Sequence, residues 1–202
     1  MEYWHDIQTT KSWEILKSLK GKFAFILIGG WGVYLWSHGQ KSKDIDIIID
    51  FQTLSKLKQT YDVRKNEKLR KYEIKIDDID IDIYVKHFSN LTIPVEDVKS
   101  TKIEGFDVAQ LEYMLILKQG AELQRKDSEK GEKDRIDIMN MLLKCDVDFF
   151  EYVSILKSYD KKGLFTRLVS IIRNFREPSY FGMNQRQFKL AKSRMLEKLK
   201  RV

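Results

Sequence analysis

Phe23-Ala24-Phe25-Ile26-Leu27-Ile28-Gly29-Gly30 and, thirteen residues further on, Asp44-Ile45-Asp46-Ile47-Ile48-Ile49 are the runs on which the fold of this chain turns. Six consecutive apolar residues predict a strand buried on both faces, and the glycine pair ends it. Trp31 to Ser37 then reads as a short helix. The second run predicts another strand, alternating at its start and wholly apolar at its end.

Within that second strand, Asp44 and Asp46 stand at i and i+2, so both carboxylates project from one face while Ile45 and Ile47 point to the other. Two adjacent carboxylates repel each other unless a positive charge lies between them. A divalent cation answers that need, and Mg²⁺ prefers carboxylate and phosphate oxygens. The bland alternative is an amphipathic edge strand whose acids are met by Lys41 and Lys43. A second run weighs against it. Ile79-Asp80-Ile81-Asp82-Ile83-Tyr84-Val85 repeats the device, and aspartate is poorly suited to strands. Glycine at 29 and 30 permits a tight turn and a close phosphate approach, with unpaired N–H groups of the following helix beside it.

Outward from these runs, Ile7 to Lys20 and Gln52 to Tyr61 read as amphipathic helices. Leu69 to Ile76 reads as a strand, joined through Asp77-Asp78 to the Ile79–Val85 strand. From Ala109 the pattern is helical: Ala109 to Leu123, Glu132 to Lys144, Asp148 to Ser158, Gly163 to Phe175 and Gln185 to Lys200. The expected class is therefore α+β, with a mixed β-sheet flanked by helices over residues 1–105 and a helical half over 106–202.

Hydrophobic residues make up 43% of the 202, enough for a core and against disorder. No apolar run approaches the roughly 20 residues that span a bilayer. The N-terminal residues lack the basic start and apolar stretch of a secretory signal. The single cysteine, Cys145, has no internal disulfide partner, which fits a cytoplasmic protein. The net charge of +7 is uneven: residues 155–202 hold 13 Lys/Arg against three Asp/Glu, so the other 154 residues sum to −3. A basic tail on a mildly acidic body suits a polyanion, or merely solvated helix faces. His5, His38 and His87 are scattered without metal-ligand spacing. Trp31, Tyr34 and Trp36 read as packing residues, with base stacking the sharper alternative.

The order strand, Gly-Gly, helix, Asp-x-Asp strand and later Asp strand resembles the DNA polymerase β-like nucleotidyltransferase superfamily over about Phe23 to Val85. The resemblance implies catalytic, metal-holding carboxylates at Asp44, Asp46 and a third acid. Asp82 is assigned to that role with Asp80 in reserve, since the two share a strand face. It also implies Mg²⁺ or Mn²⁺ as cofactor, an NTP as substrate, and Gly29 and Gly30 as the triphosphate turn.

In the helical half, Lys118, Ala121 and Arg125 lie on one helix face, and Lys133-Asp134 and Asp137 open the next helix. This arrangement looks like the AbiEii-type nucleotidyltransferases, some of which are toxins with a protein antitoxin. It implies nucleotide contacts by Lys118, Arg125 and Asp134, or Asp137. Inter-helix ion pairing on a wet surface is the competing reading. Three functions follow: NMP transfer to tRNA or another RNA, adenylylation of an aminoglycoside- or lincosamide-like antibiotic, or a silent nucleotide- or protein-binding module.

Overall fold

The computed structural model describes residues 6–202; His5 lies outside them. The chain divides into two compact units, one running to Gln110 and the other from Leu111 to Val202.

In the first unit, α1 (Asp6–Lys20) precedes β1 (Ile26–Ile28), α2 (Gly29–Ser37), β2 (Ile45–Ile49) and α3 (Phe51–Thr60). They are followed by β3 (Arg64–Asn66), β4 (Lys71–Ile76), β5 (Ile79–Val85), β6 (Ser100–Ile103) and β7 (Phe106–Ala109). The strands form one mixed sheet in the order β3-β4-β5-β2-β1-β7-β6. The expected α+β class holds. β1 is three residues rather than six, and β2 begins at Ile45, one residue after Asp44.

Strand alternation gives the sheet two unlike faces. Ile45, Ile47 and Ile49 of β2, Ile81, Ile83 and Val85 of β5, and Tyr72 and Ile74 of β4 are all buried on one of them. Burying each such aliphatic side chain contributes about 1.5–3 kcal/mol, so this face anchors the unit. The α3 helix is capped by Asp50, whose carboxylate accepts from the Thr53 N–H at 2.7 Å, and buries Leu54 and Leu57. Its Lys58 ammonium lies 5.0 Å from the Tyr72 ring centre. The α2 helix packs on β1, β2 and β7. Trp31 is buried, meets the Trp13 ring at a tilt of 37° and donates its indole N–H to Ser12 Oγ at 2.8 Å. Trp36 donates to the Ala109 carbonyl at 2.9 Å. Both indoles are thus used in packing.

Three strands have no counterpart in the sequence reading. β3 is polar throughout, and β6 and β7 form a hairpin turning at Glu104-Gly105. Both turn residues have positive φ, at 49° and 76°, the geometry that matches strand twist in a two-residue hairpin. This hairpin carries the sheet past residue 105, and the unit ends at Gln110.

The second unit is helical: α4 (Leu111–Gln124), α5 (Glu129–Lys144), α6 (Phe149–Ser158), α7 (Gly163–Asn174) and α8 (Gln185–Leu199). Ser128 caps α5, which begins at Glu129, three residues before the expected Glu132, and Asn184 with Gln187 forms a capping box on α8. Buried Tyr152 donates to Gln119 Oε1, and Gln119 Nε2 donates to the Leu164 carbonyl, both at 2.7 Å. These two bonds tie α6 and α7 to α4 through the core. Phe150, by contrast, is 68% exposed rather than part of that core. Among the described residues, no helix is long and apolar enough to cross a membrane.

Candidate active site

The polar face of the sheet carries the acids. In the parallel β2–β5 ladder Asp46 pairs in register with Asp82, and across the antiparallel β5–β4 ladder Asp82 pairs with Glu73. On the other flank Asp46 pairs with Ile28, the residue before Gly29. Glu73, Asp82, Asp46 and the start of the glycine turn thus form one lateral row, with about 4.8 Å between neighbouring strands.

Gly29 is bound tightly into that row. Its φ is +66°, a conformation costly for any residue with a Cβ. A methyl group there would lie 2.7 Å from Asp46 Cβ and overlap the carboxylate itself. Backbone and Asp46 are therefore in contact, and the first turn of α2, which has no side-chain cap, begins beside an acid. Such a turn presents N–H groups suited to anions.

Asp82 is held between burial and a lysine. Its side chain is 29% exposed, and Lys71 Nζ lies 2.6 Å from Oδ2. The same ammonium is 3.0 Å from Glu73 Oε1, which also accepts from Asn66 Nδ2 at 2.9 Å. Burial, helped by the charges of Glu73 and Asp44, pushes the Asp82 carboxyl above its ordinary value despite Lys71. Asp44 stands just ahead of β2, half-buried, near enough for its charge to act on Asp82. Asp80 shares the face but is 63% exposed and lies 3.8 Å from Lys75.

As the side chains stand, no three acids, histidines or cysteines among the described residues are gathered closely enough to ligate one ion. Asp82 is drawn onto Lys71 instead. In kind, the donors fit a hard divalent cation: Asp46 and Asp82 are carboxylates on adjacent strands, Asp44 is beside them, and a cation already satisfies one. Lys71 and Glu73 went unremarked in the sequence. The period-2 pattern opposite Tyr72 and Ile74 puts both on the acid face, but their register with Asp82 has no sequence signal.

The helical unit brings its own sequence-marked residues together. Lys118 Nζ lies 3.1 Å from Asp134 Oδ1 and 2.7 Å from Asp137 Oδ2. Arg125 Nε donates to Asp134 Oδ2 at 2.8 Å, and Lys133 Nζ to Asp137 Oδ2 at 2.9 Å. Except for Arg125 the cluster is buried, so this is ion pairing, but not on a wet surface. Burial would raise the Asp134 carboxyl, yet Lys118 and Arg125 outweigh it and hold it low. Burial drives the Lys133 ammonium below the usual lysine range. A second network, absent from the sequence reading, joins buried Glu122 to Arg167 Nε at 2.9 Å and Arg135 Nη1 at 3.0 Å. Cys145 is half-buried, its thiol raised to about 11, and so unreactive at neutral pH.

No protein-family model matches the sequence, and no curated protein does. Solved structures do match the fold. The antibiotic-resistance factor ANT(2″)-Ia is 16% identical, with 82% of this chain and 95% of that one covered at a TM-score of 0.51. JHP933 from Helicobacter pylori is 14% identical, covering 95% and 91% at 0.47. An antigenic nucleotidyltransferase-like protein from Paracoccidioides brasiliensis is 15% identical, covering 67% and 75% at 0.42. The chain thus shares the α+β fold of the antibiotic-resistance factor, a mixed sheet followed by helices.

Proposed function

We propose that this protein transfers a nucleoside monophosphate from an NTP to an acceptor hydroxyl. The observation carrying this reading is the row in which the left-handed Gly29 turn abuts Asp46 and Asp46 pairs in register with Asp82. A nucleotide-binding module without chemistry needs the turn but not the acid row.

Asp44, Asp46 and Asp82 are the residues that would hold Mg²⁺ or Mn²⁺, which when bound neutralises phosphate charge and lowers the acceptor hydroxyl's pKa. Gly29 and Gly30 bring backbone N–H groups to the triphosphate. Asp82, whose basicity is raised by burial and by neighbouring acids, takes the acceptor's proton at Oδ1, with Lys71 engaging Oδ2. The acceptor oxygen forms its bond to the α-phosphorus as the bond to the β-phosphate bridging oxygen breaks, and pyrophosphate departs.

The acceptor assigned is an RNA, tRNA among the candidates, by virtue of the +10 charge on residues 155–202. A toxin restrained by a protein antitoxin in the cytoplasm is the biological form this reading takes. The test is incubation with each α-³²P-labelled NTP, Mg²⁺ or Mn²⁺ and total RNA, with an aminoglycoside in a parallel arm. RNA labelled by the wild type and not by Asp44→Ala/Asp46→Ala supports the reading. Label on the antibiotic alone replaces the acceptor with a small molecule, and NTP binding without transfer in either arm overturns the enzyme.

A further inference from the structure

In the helical unit, α7 and α8 flank a basic groove. A cavity of about 400 Å³ is lined by Arg173, Arg176, Lys189 and Lys192 over a floor that includes Phe175 and Phe188. Arg173 and Leu196 also line a second cavity of about 450 Å³, which continues to Lys200. The two cavities adjoin at these residues and no Asp or Glu lines either of them, while Glu132 and Glu177 line a third cavity that shares Phe175 and Arg176 with the first. Five cations line the two cavities with no acid among their lining residues, a local excess of positive charge suited to a polyanion.

One of these cations, Lys192, is fixed in place by the fold. Lys189 and Lys192 of α8, with Lys200 at its C-cap, fall on one flank at 100° per residue, beside the stripe of Phe188, Met195 and Leu199 that the unit buries. Lys192 Nζ donates to the Arg173 and Phe175 carbonyls at 3.1 and 2.9 Å, closing the end of α7. Burial and the charge of Arg176 hold Lys192 below the usual lysine range, a sign of how closely the positive charges are packed. At 1.5 Å per residue, α7 and α8 run for about 20 Å, enough to follow several phosphates of one strand.

We propose that the α7–α8 groove binds the phosphodiester backbone of an RNA strand. This rests on the RNA-acceptor reading above and gives it a surface, but it is tested by binding alone. The probe is a fluorescein-labelled single-stranded RNA of about a dozen nucleotides, titrated by fluorescence anisotropy over a KCl series. Arg176→Glu/Lys189→Glu, both exposed side chains, should weaken binding at least about tenfold at low salt. The corresponding Gln pair should lower the salt slope by about 0.7 for each cation lost. Lys56→Glu/Lys68→Glu makes the same charge change on the sheet unit and should stay within about twofold. Circular dichroism melts establish that each variant folds.

Equal weakening by both Glu pairs would overturn the groove in favour of net charge. Displacement of the RNA by poly-glutamate at matched charge would overturn it in favour of an acidic polypeptide. Asp44→Ala/Asp46→Ala should bind RNA as the wild type does. RNA bound but never labelled would uphold the groove and sink RNA as acceptor. Label transferred to an antibiotic without any RNA binding would sink the groove and leave transfer standing.

Discussion

The molecule contains two clusters built from lysine and aspartate, and they are in opposite states. In the helical unit Asp134 and Asp137 are about 1% exposed or less and are closed in by Lys118, Lys133 and Arg125. On the sheet Asp44, Asp46 and Asp82 are all half-buried, and Lys71 meets Asp82 from one side. A buried web must satisfy its charges from within, because solvent cannot, and breaking it leaves an uncompensated ion in low dielectric. A half-exposed acid row can exchange its counter-charge with an ion or substrate from solution. The first arrangement sustains a fold; the second is suited to chemistry.

That contrast predicts where each loss is felt. Asp137→Ala, which strips Lys118 and Lys133 of a shared acceptor, should cost the helical unit about 3–5 kcal/mol in denaturant unfolding. The acid limb is part of the same test. Asp134 has a depressed pKa in the fold, so its contribution is present above the unfolded carboxylate value and lost as pH falls through the lower folded one. Asp134→Asn should therefore flatten the acid limb of the stability curve. A variant as stable as the wild type would mean the web is not what holds α4 to α5.

On the sheet the order reverses. Asp44→Ala/Asp46→Ala should reduce transfer by about 10²–10³-fold, read as α-³²P label carried to the acceptor, while the melting midpoint barely moves. A variant that loses stability instead would make the acid row architectural, like its helical counterpart. Gly29→Ala tests the junction between turn and acids. Its positive φ and the overlap with Asp46 should together cost about 1–3 kcal/mol, with loss of transfer. A wild-type melt would show that the turn can relax away from Asp46.

How far this was legible follows from physics at particular residues. Ile45 to Ile49 and Ile79 to Val85 announce themselves, because strands buried on one face need alternation and strands buried centrally need apolar runs. Arg64 to Asn66 does not: an edge strand of three polar residues is held by backbone pairing to β4, which leaves no mark in side-chain pattern. The β6–β7 hairpin was readable in principle from Glu104-Gly105, but four-residue strands barely rise above turn composition. The aspartates of the candidate site stood out because aspartate is out of place in strands. Lys71 did not, since a lysine on a polar face is ordinary until register sets it against Asp82. The Lys118, Asp134 and Asp137 spacing was visible, but its burial depends on helices α6 and α7 packing on α4.

Lys71 is the point at which the two clusters most resemble each other, and Lys71→Met separates their logics. If the ammonium merely stands in for a cation, its removal should tighten Mn²⁺ binding by about tenfold, measured by titration calorimetry, since one unit charge leaves the row. If it instead fixes the Asp82 rotamer as Lys118 fixes Asp134, Mn²⁺ binding should weaken. The two signs cannot be confused.

The smallest effect belongs to Asp80, which shares the strand, the face and the residue type of Asp82 but not its setting. Asp80 is mostly exposed and 3.8 Å from Lys75, a surface pair of little energetic weight, whereas Asp82 is in register with Asp46. Asp80→Asn should leave transfer and Mn²⁺ affinity within about twofold, while Asp82→Asn abolishes proton acceptance and lowers transfer as the Asp44/Asp46 change does. Equal losses at both positions would mean that the acidic face acts through its summed charge, and that register with Asp46 does not select the working carboxylate.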